Sequence, residues 1–66
     1  MNDIEAFELF NKEYNWNFVV TVDRIYVNYT SKATGTLNWT GADTLQRAFT
    51  KTFNYLYRNN YDYGNT

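Results

Sequence analysis

The fold is decided by residues 16–39, which read WNFVVTVDRIYVNYTSKATGTLNW. Apolar residues alternate with polar ones in three short runs within this stretch, and a period of two is typical of β-strands that bury one face. The sequence therefore predicts a three-stranded antiparallel meander over residues 16–39.

The first connection is marked by a change in apolar parity between Val22 and Ile25, across Asp23-Arg24. A two-residue hairpin turn would explain it by setting Val22 opposite Ile25, with the apolar residues of both strands on one face. A bulge inside one long bent strand would also change the parity. We expect the hairpin, and the bulge is the alternative.

The second connection, residues 31–35, reads SKATG. It predicts a type I turn closed by a glycine bulge, with Gly35 at positive φ. This register sets Ser31 opposite Leu37 and Tyr29 opposite Trp39. The predicted inner face then consists of Trp16, Phe18, Val20, Val22, Ile25, Val27, Tyr29, Leu37 and Trp39.

A helix is predicted on each side of the meander. In residues 1–15, Asn2 or Asp3 can cap the helix start, and the chain should leave the helix near Tyr14-Asn15 with a left-handed cap. One apolar stripe of this helix contains Ile4, Phe7, Phe10 and Tyr14.

The second helix is predicted over residues 40–58. Thr40 and Asp43 have the spacing of a capping box, and the apolar face would contain Ala42, Leu45, Phe49, Thr52, Phe53 and Leu56. Residues 59–66 would form a tail. The prediction is one α+β domain over residues 1–66, a two-layer αβββα arrangement with both helices on one face of the sheet.

The composition argues against an enzyme. The chain of 66 residues has no histidine and no cysteine, and 21% of it is aromatic, so packed rings must supply a core that neither disulfides nor metal can support. Its one serine lies in a predicted turn, and its acidic residues are scattered. We therefore expect no catalytic residue, no metal site and no cofactor.

The charge balance and hydropathy restrict the partner and the location. A net charge of −1 argues against nucleic acid as the partner. No apolar run approaches the ~18 residues of a membrane span, and the N-terminus is acidic rather than basic. We expect a cytoplasmic protein that does not act at a membrane.

The predicted outer face of the sheet is the first candidate site. It mixes an aromatic, a β-branched residue and asparagines, a composition that is closer to protein interfaces than to a charged solvent coat. Together with the tyrosine-rich end of the chain, the candidate partner-binding residues are Val19, Thr21, Tyr26, Asn28, Asn38, Tyr61 and Tyr63, with Thr36 on the same face. The alternative is the ordinary polar face of an antiparallel sheet.

A basic stripe on the second helix is the other candidate. Arg47, Lys51 and Arg58 fall on one side of it and could contact nucleic acid, although a solvated helix face is the plainer interpretation. In the order of its elements the chain resembles double-stranded-RNA-binding domains. Their second helix opens with a lysine cluster, whereas residues 40–46 (TGADTLQ) contain one acid and no base.

The chain also resembles small inhibitors encoded by phages and mobile elements, the anti-CRISPR proteins among them, which are tiny domains of helices and antiparallel sheet. Its residues lean to Asn, Tyr, Phe, Lys, Thr and Ile, which AT-rich codons encode. The resemblance implies a non-enzymatic inhibitor whose partner is a host protein such as a defence nuclease. Because the outer strands of the sheet have no proline, a homo-oligomeric structural or accessory protein is a further alternative, with a homodimer as its simplest form.

Overall fold

The computed structural model describes residues 1–58 and has the predicted α+β architecture. Its elements are α1 (Asp3–Glu13), β1 (Tyr14–Val20), β2 (Ile25–Ser31), β3 (Leu37–Ala42) and α2 (Leu45–Tyr57). The antiparallel strands lie in the order β1-β2-β3, and both helices pack on one face of the sheet, here called the inner face. The predicted tail, with Tyr61 and Tyr63, lies outside the described residues.

Helix α1 begins with a capping box at Asn2. The Asn2 side chain accepts a hydrogen bond from the Glu5 amide (2.9 Å), and the Glu5 carboxylate accepts one from the Asn2 amide (3.1 Å). The left-handed cap predicted near Asn15 is wrong, because Tyr14 is already extended (φ −128°, ψ 144°) and starts β1. The Lys32 amide donates to the Glu13 carbonyl (3.0 Å), which draws the chain into the sheet as soon as the helix ends.

The first connection is a hairpin, as expected, but its loop has four residues, 21–24. Val20 lies opposite Ile25, and Trp16 lies opposite Tyr29. The Thr21 amide and hydroxyl both donate to the Arg24 carbonyl (2.8 and 2.9 Å), which closes the loop. The observed pairing of β1 with β2 differs from the predicted pairing by two residues, so every side chain of β1 keeps its predicted face. The prediction is wrong for Val22, which is fully exposed in the loop and does not lie on the inner face.

The second connection corrects the predicted register by one residue. Gly35 has the expected positive φ (75°) and donates its amide to the Ser31 carbonyl (2.8 Å), while the Ser31 amide donates to Thr36 (3.0 Å). The loop therefore has four residues, and Leu37 lies opposite Thr30 rather than Ser31. The Ser31 hydroxyl accepts the amides of residues 33 and 34 and so stabilises this tighter turn.

A shift of one residue moves every side chain of β3 to the other face. Leu37 and Trp39, predicted to be inside, lie on the outer face, and Ala42 is buried on the inner face. The predicted capping box of Thr40 and Asp43 is wrong, because Thr40 lies within β3, which continues to Ala42. Thr44 caps α2 instead and accepts the Arg47 amide (3.1 Å).

The core is centred on Phe10, which has no exposed surface. Its ring contacts five aromatic rings at centroid distances of 5.3 to 6.3 Å, those of Tyr14, Trp16, Tyr29, Phe49 and Phe53. Each such pair is worth about 0.5–1.5 kcal/mol beyond the area it buries. The predicted stripe of α1 is wrong at Ile4, which is 74% exposed, because Ala6 takes the buried position.

We expect Phe10→Ala to cost about 3–5 kcal/mol of unfolding free energy. A chain of this length has a total stability of about 3–10 kcal/mol, so the loss is a large part of the total and should move the midpoint of urea unfolding, followed by circular dichroism at 25 °C, well below that of the parent chain. Ile4→Ala on the same helix is the matched control and should change stability by less than about 0.5 kcal/mol. Equal costs for the two changes would contradict the placement of the core.

Alkaline pH should destabilise the contact between the helix ends. The Tyr57 hydroxyl donates to the Glu13 carboxylate (3.1 Å), and burial followed by this hydrogen bond raises the pKa of Tyr57. Because the folded state favours the protonated phenol, this contribution to stability is fully present below the ordinary tyrosine pKa of about 10 and is lost as the pH rises above it.

The measurement is urea unfolding between pH 8 and pH 11. Tyr57→Phe should lose less stability over this range than the parent chain does, and Glu13→Gln, which keeps an acceptor but removes the charge, should fall between them. A Tyr57→Phe chain with the full alkaline loss would show that other groups cause it.

Candidate interaction surfaces

The outer sheet face is the surface that the helices leave uncovered. Cross-strand pairing arranges it in three rows of three residues. The rows are Val19-Tyr26-Gly41, Asn17-Asn28-Trp39 and Asn15-Thr30-Leu37. None of these nine residues is charged, and neither helix packs on them.

An aromatic pair dominates this face. The rings of Tyr26 and Trp39 meet edge to face, with centroids 5.6 Å apart and planes at 71°. Trp39 is 62% exposed and Leu37 is 69% exposed. The fold therefore presents two large apolar side chains, Trp39 and Leu37, to solvent on this face.

Gly41 makes room for this pair. A Cβ atom on Gly41 would lie 2.8 Å from Cε1 of the Tyr26 ring, closer than such atoms approach in folded proteins. The ring of Tyr26 therefore lies against the bare backbone of β3. This fixes its position beside Trp39.

Two of the polar residues of the face, Asn17 and Asn28, are paired with each other. Nδ2 of Asn28 donates to Oδ1 of Asn17 across the strands (3.1 Å). The aromatic pair thus lies beside an amide pair, which gives the face directional hydrogen-bonding groups next to its apolar surface.

The structure brings three of the predicted partner-binding residues together on this face: Val19, Tyr26 and Asn28. The predicted outer-face position of Asn38 is wrong, because the one-residue register shift places Asn38 on the inner face opposite Tyr29. The predicted outer-face position of Thr21 is also wrong, since Thr21 lies in the hairpin loop and its hydroxyl closes that loop.

Sequence reasoning missed Trp39 and Leu37 as members of the outer face. The alternation of apolar and polar residues in β3 fits either face, so periodicity alone does not place them. The length of the second loop decides their side, and residues 31–35 are compatible with loops of either length.

The three predicted basic residues do not form one free stripe. Arg47 forms an ion pair with Asp43 (3.1 Å), Lys51 donates to the Gly41 carbonyl (2.9 Å), and Arg58 pairs with Asp3 at the start of α1. Burial, and next the nearby Arg24 guanidinium, lower the pKa of Lys51. Arg24 and Lys51 line the same groove, of about 420 Å³, between β3 and α2.

A second groove, of about 330 Å³, separates α1 from α2 and is lined mainly by apolar side chains such as Phe7 and Phe49. Within residues 1–58, no cluster of three or more histidine, cysteine, aspartate or glutamate residues could hold a metal ion. Neither helix in that part of the chain is long and apolar enough to cross a bilayer. No protein-family model, curated protein or solved structure matches the chain.

We expect Gly41→Ala to destabilise the domain by about 1–3 kcal/mol, because its Cβ displaces the Tyr26 ring. In a Tyr26→Ala background the same change should cost much less. Urea unfolding of the two single variants and the double variant gives the coupling free energy. Additive costs would show that the glycine is required for another reason.

Proposed function

We propose that this protein is a small non-enzymatic protein-binding module that engages its partner through the outer sheet face. The observation that supports it is the exposed Trp39–Tyr26 pair, with Leu37 beside it, on a face whose nine residues carry no charge. Tryptophan and tyrosine are the residues most enriched among those that dominate binding energy, and charged residues are depleted at interface centres.

The geometry favours tight recognition by a small area. Tyr26 is held between Gly41 and Trp39, so its ring needs little further ordering when a partner binds. Asn17 and Asn28 lie next to the rings and offer amide groups whose hydrogen bonds can orient the partner.

The inhibitor class remains a prediction. If the protein is such an inhibitor, its partner is a host protein such as a defence nuclease, and it acts in the host cytoplasm. The prediction is supported by the short chain, by the absence of histidine and cysteine, and by the bias toward residues with AT-rich codons. Its architecture, two helices on an antiparallel sheet, agrees with the same resemblance.

The nucleic-acid alternative has weaker support. Duplex binding of that kind needs cations available for phosphates. Here Arg47 is paired with Asp43, and Arg58 is paired with Asp3. Each would have to exchange its internal partner for a phosphate.

The protein-binding proposal is tested by affinity capture from the lysate of the native host, analysed by mass spectrometry. We expect Trp39→Ser to reduce retention of the specific partner at least roughly tenfold, as for a residue at an interface centre. Ile4→Ser is the matched control, since Ile4 is even more exposed (74% against 62% for Trp39) but lies on α1. Tyr26→Ala should also weaken retention while the chain stays folded.

Two results would overturn the proposal. One is a partner that the Trp39→Ser chain retains as well as the parent does. The other is submicromolar binding of duplex DNA or RNA at physiological salt, with an affinity that falls steeply as salt is raised, since that dependence reports cations released from phosphates.

A further inference from the structure

The free edge of β1 is a second surface, distinct from the outer sheet face in the backbone groups it offers. The Thr21 amide donates to the Arg24 carbonyl (2.8 Å) at one end of the β1–β2 ladder, and the Lys32 amide donates to the Glu13 carbonyl (3.0 Å) at the other. Hydrogen-bonded pairs alternate along an antiparallel ladder, so the odd-numbered residues of β1 are the ones that hydrogen-bond to β2. The amides and carbonyls of Trp16, Phe18 and Val20 therefore point away from the sheet.

This edge lacks the features by which proteins usually prevent strand pairing. Strand β1 (Tyr14–Val20) contains no charged residue, glycine or proline, and its seven consecutive pairs with β2 include no bulge. Phe18, Val19 and Val20 are 49%, 47% and 63% exposed. An uncovered apolar edge of this kind is expected to pair with another strand or to aggregate.

The opposite edge of the sheet, formed by β3, is less available for pairing because one of its outward backbone groups is already hydrogen-bonded. Hydrogen bonding of Ser31 to Thr36 places the outward backbone groups of β3 at Leu37, Trp39 and Gly41. The Gly41 carbonyl already accepts a hydrogen bond from Lys51 of α2 (2.9 Å). A strand added at β3 would have to displace this hydrogen bond, whereas within residues 1–58 no side chain hydrogen-bonds to the outward backbone groups of β1.

We propose that β1 pairs antiparallel with β1 of a second copy, about a two-fold axis at Val19, and that the two sheets form one six-stranded sheet. In this register Val19 faces Val19, and Phe18 faces Val20 of the other copy. Trp16 faces the exposed Val22 of the other copy, and Asn17 faces Thr21. Apolar residues thus meet apolar ones and polar residues meet polar ones, using the outward backbone groups of Phe18 and Val20.

Self-pairing is favoured over a strand of different chemistry because the edge is self-complementary. An uncharged strand pairs with its own copy without repulsion, and an axis at Phe18 would instead set Asn17 opposite Val19. The helices also leave Phe18 and Val20 largely uncovered on the inner face. The two-fold axis places Phe18 and Val20 of one copy beside Val20 and Phe18 of the other, so that each copy shields these side chains of the other from solvent.

The size of the interface indicates the concentration range in which to look for the dimer. A specific interface at the small end buries about 600 Å² per copy, roughly an eighth of the 4525 Å² surface of the chain. One strand edge with its flanking side chains falls near that limit. Weak and transient complexes lie at this end of the range, so we expect the dimer to form reversibly over micromolar concentrations.

Sedimentation equilibrium from about 1 to 500 µM tests dimerisation. We expect the parent chain to dimerise and Val20→Lys to weaken the dimer at least roughly tenfold, because it brings a cation to each side of the junction. Leu37→Lys makes the same change on the other edge strand and should leave the dimer intact. A monomer at every concentration, or a dimer broken only by Leu37→Lys, would overturn the proposal.

The register is tested by single cysteines, since the chain has none of its own. Residues facing each other at a non-hydrogen-bonded position have Cα atoms about 4.5 Å apart, which a disulfide can bridge. Val19→Cys should therefore form a covalent dimer on mild oxidation. Asn17→Cys, also exposed on the outer face, should not, because its Cα atoms would lie about 13 Å apart along the strands.

Rapid cross-linking through Asn17→Cys with none through Val19→Cys would overturn the register. Absence of both cross-links would overturn the β1 interface. These readouts do not depend on the stability of Val20→Lys, and they are independent of the proposed outer-face partner, whose loss through Trp39→Ser would leave the dimer unchanged.

Discussion

The register between β2 and β3 is the constraint on which the rest of the structure depends. Gly35 at positive φ closes a four-residue loop on Ser31, and this loop length sets Asn28 opposite Trp39. Because side chains alternate between faces, a loop one residue longer would turn Trp39 inward and Ala42 outward. Helix α2 packs closely on β3 because small Ala42, and not Trp39, lies beneath it.

The aromatic core is the second requirement of a chain this short. Because the chain has no cysteine it has no disulfides, and one cluster of rings around Phe10 holds both helices on the sheet. This cluster packs against Tyr14 and Trp16 of β1 but does not extend to Phe18, which is about half exposed. The end of the β1–β2 hairpin is therefore left with exposed apolar side chains, which a small core cannot cover.

The two proposed surfaces are related by the sheet itself. Val19 lies both on the outer face and at the free edge of β1. Pairing at this edge would join two outer faces into one continuous surface, with a Tyr26–Trp39 pair on each half. A partner with repeated or symmetric features would then meet two copies of the same site, and the joint affinity would exceed that of one face.

The sequence by itself determined the class and order of the elements, because periods of two and 3.6 and the turn residues are local properties. It also placed Val19, Tyr26 and Asn28 on the outer face, since an error of two residues in the first hairpin preserves faces. Only the tertiary structure decided the side of Leu37, Asn38 and Trp39. Their alternation fits both faces, and the choice depends on one residue of loop length and on which side chains fit beneath α2.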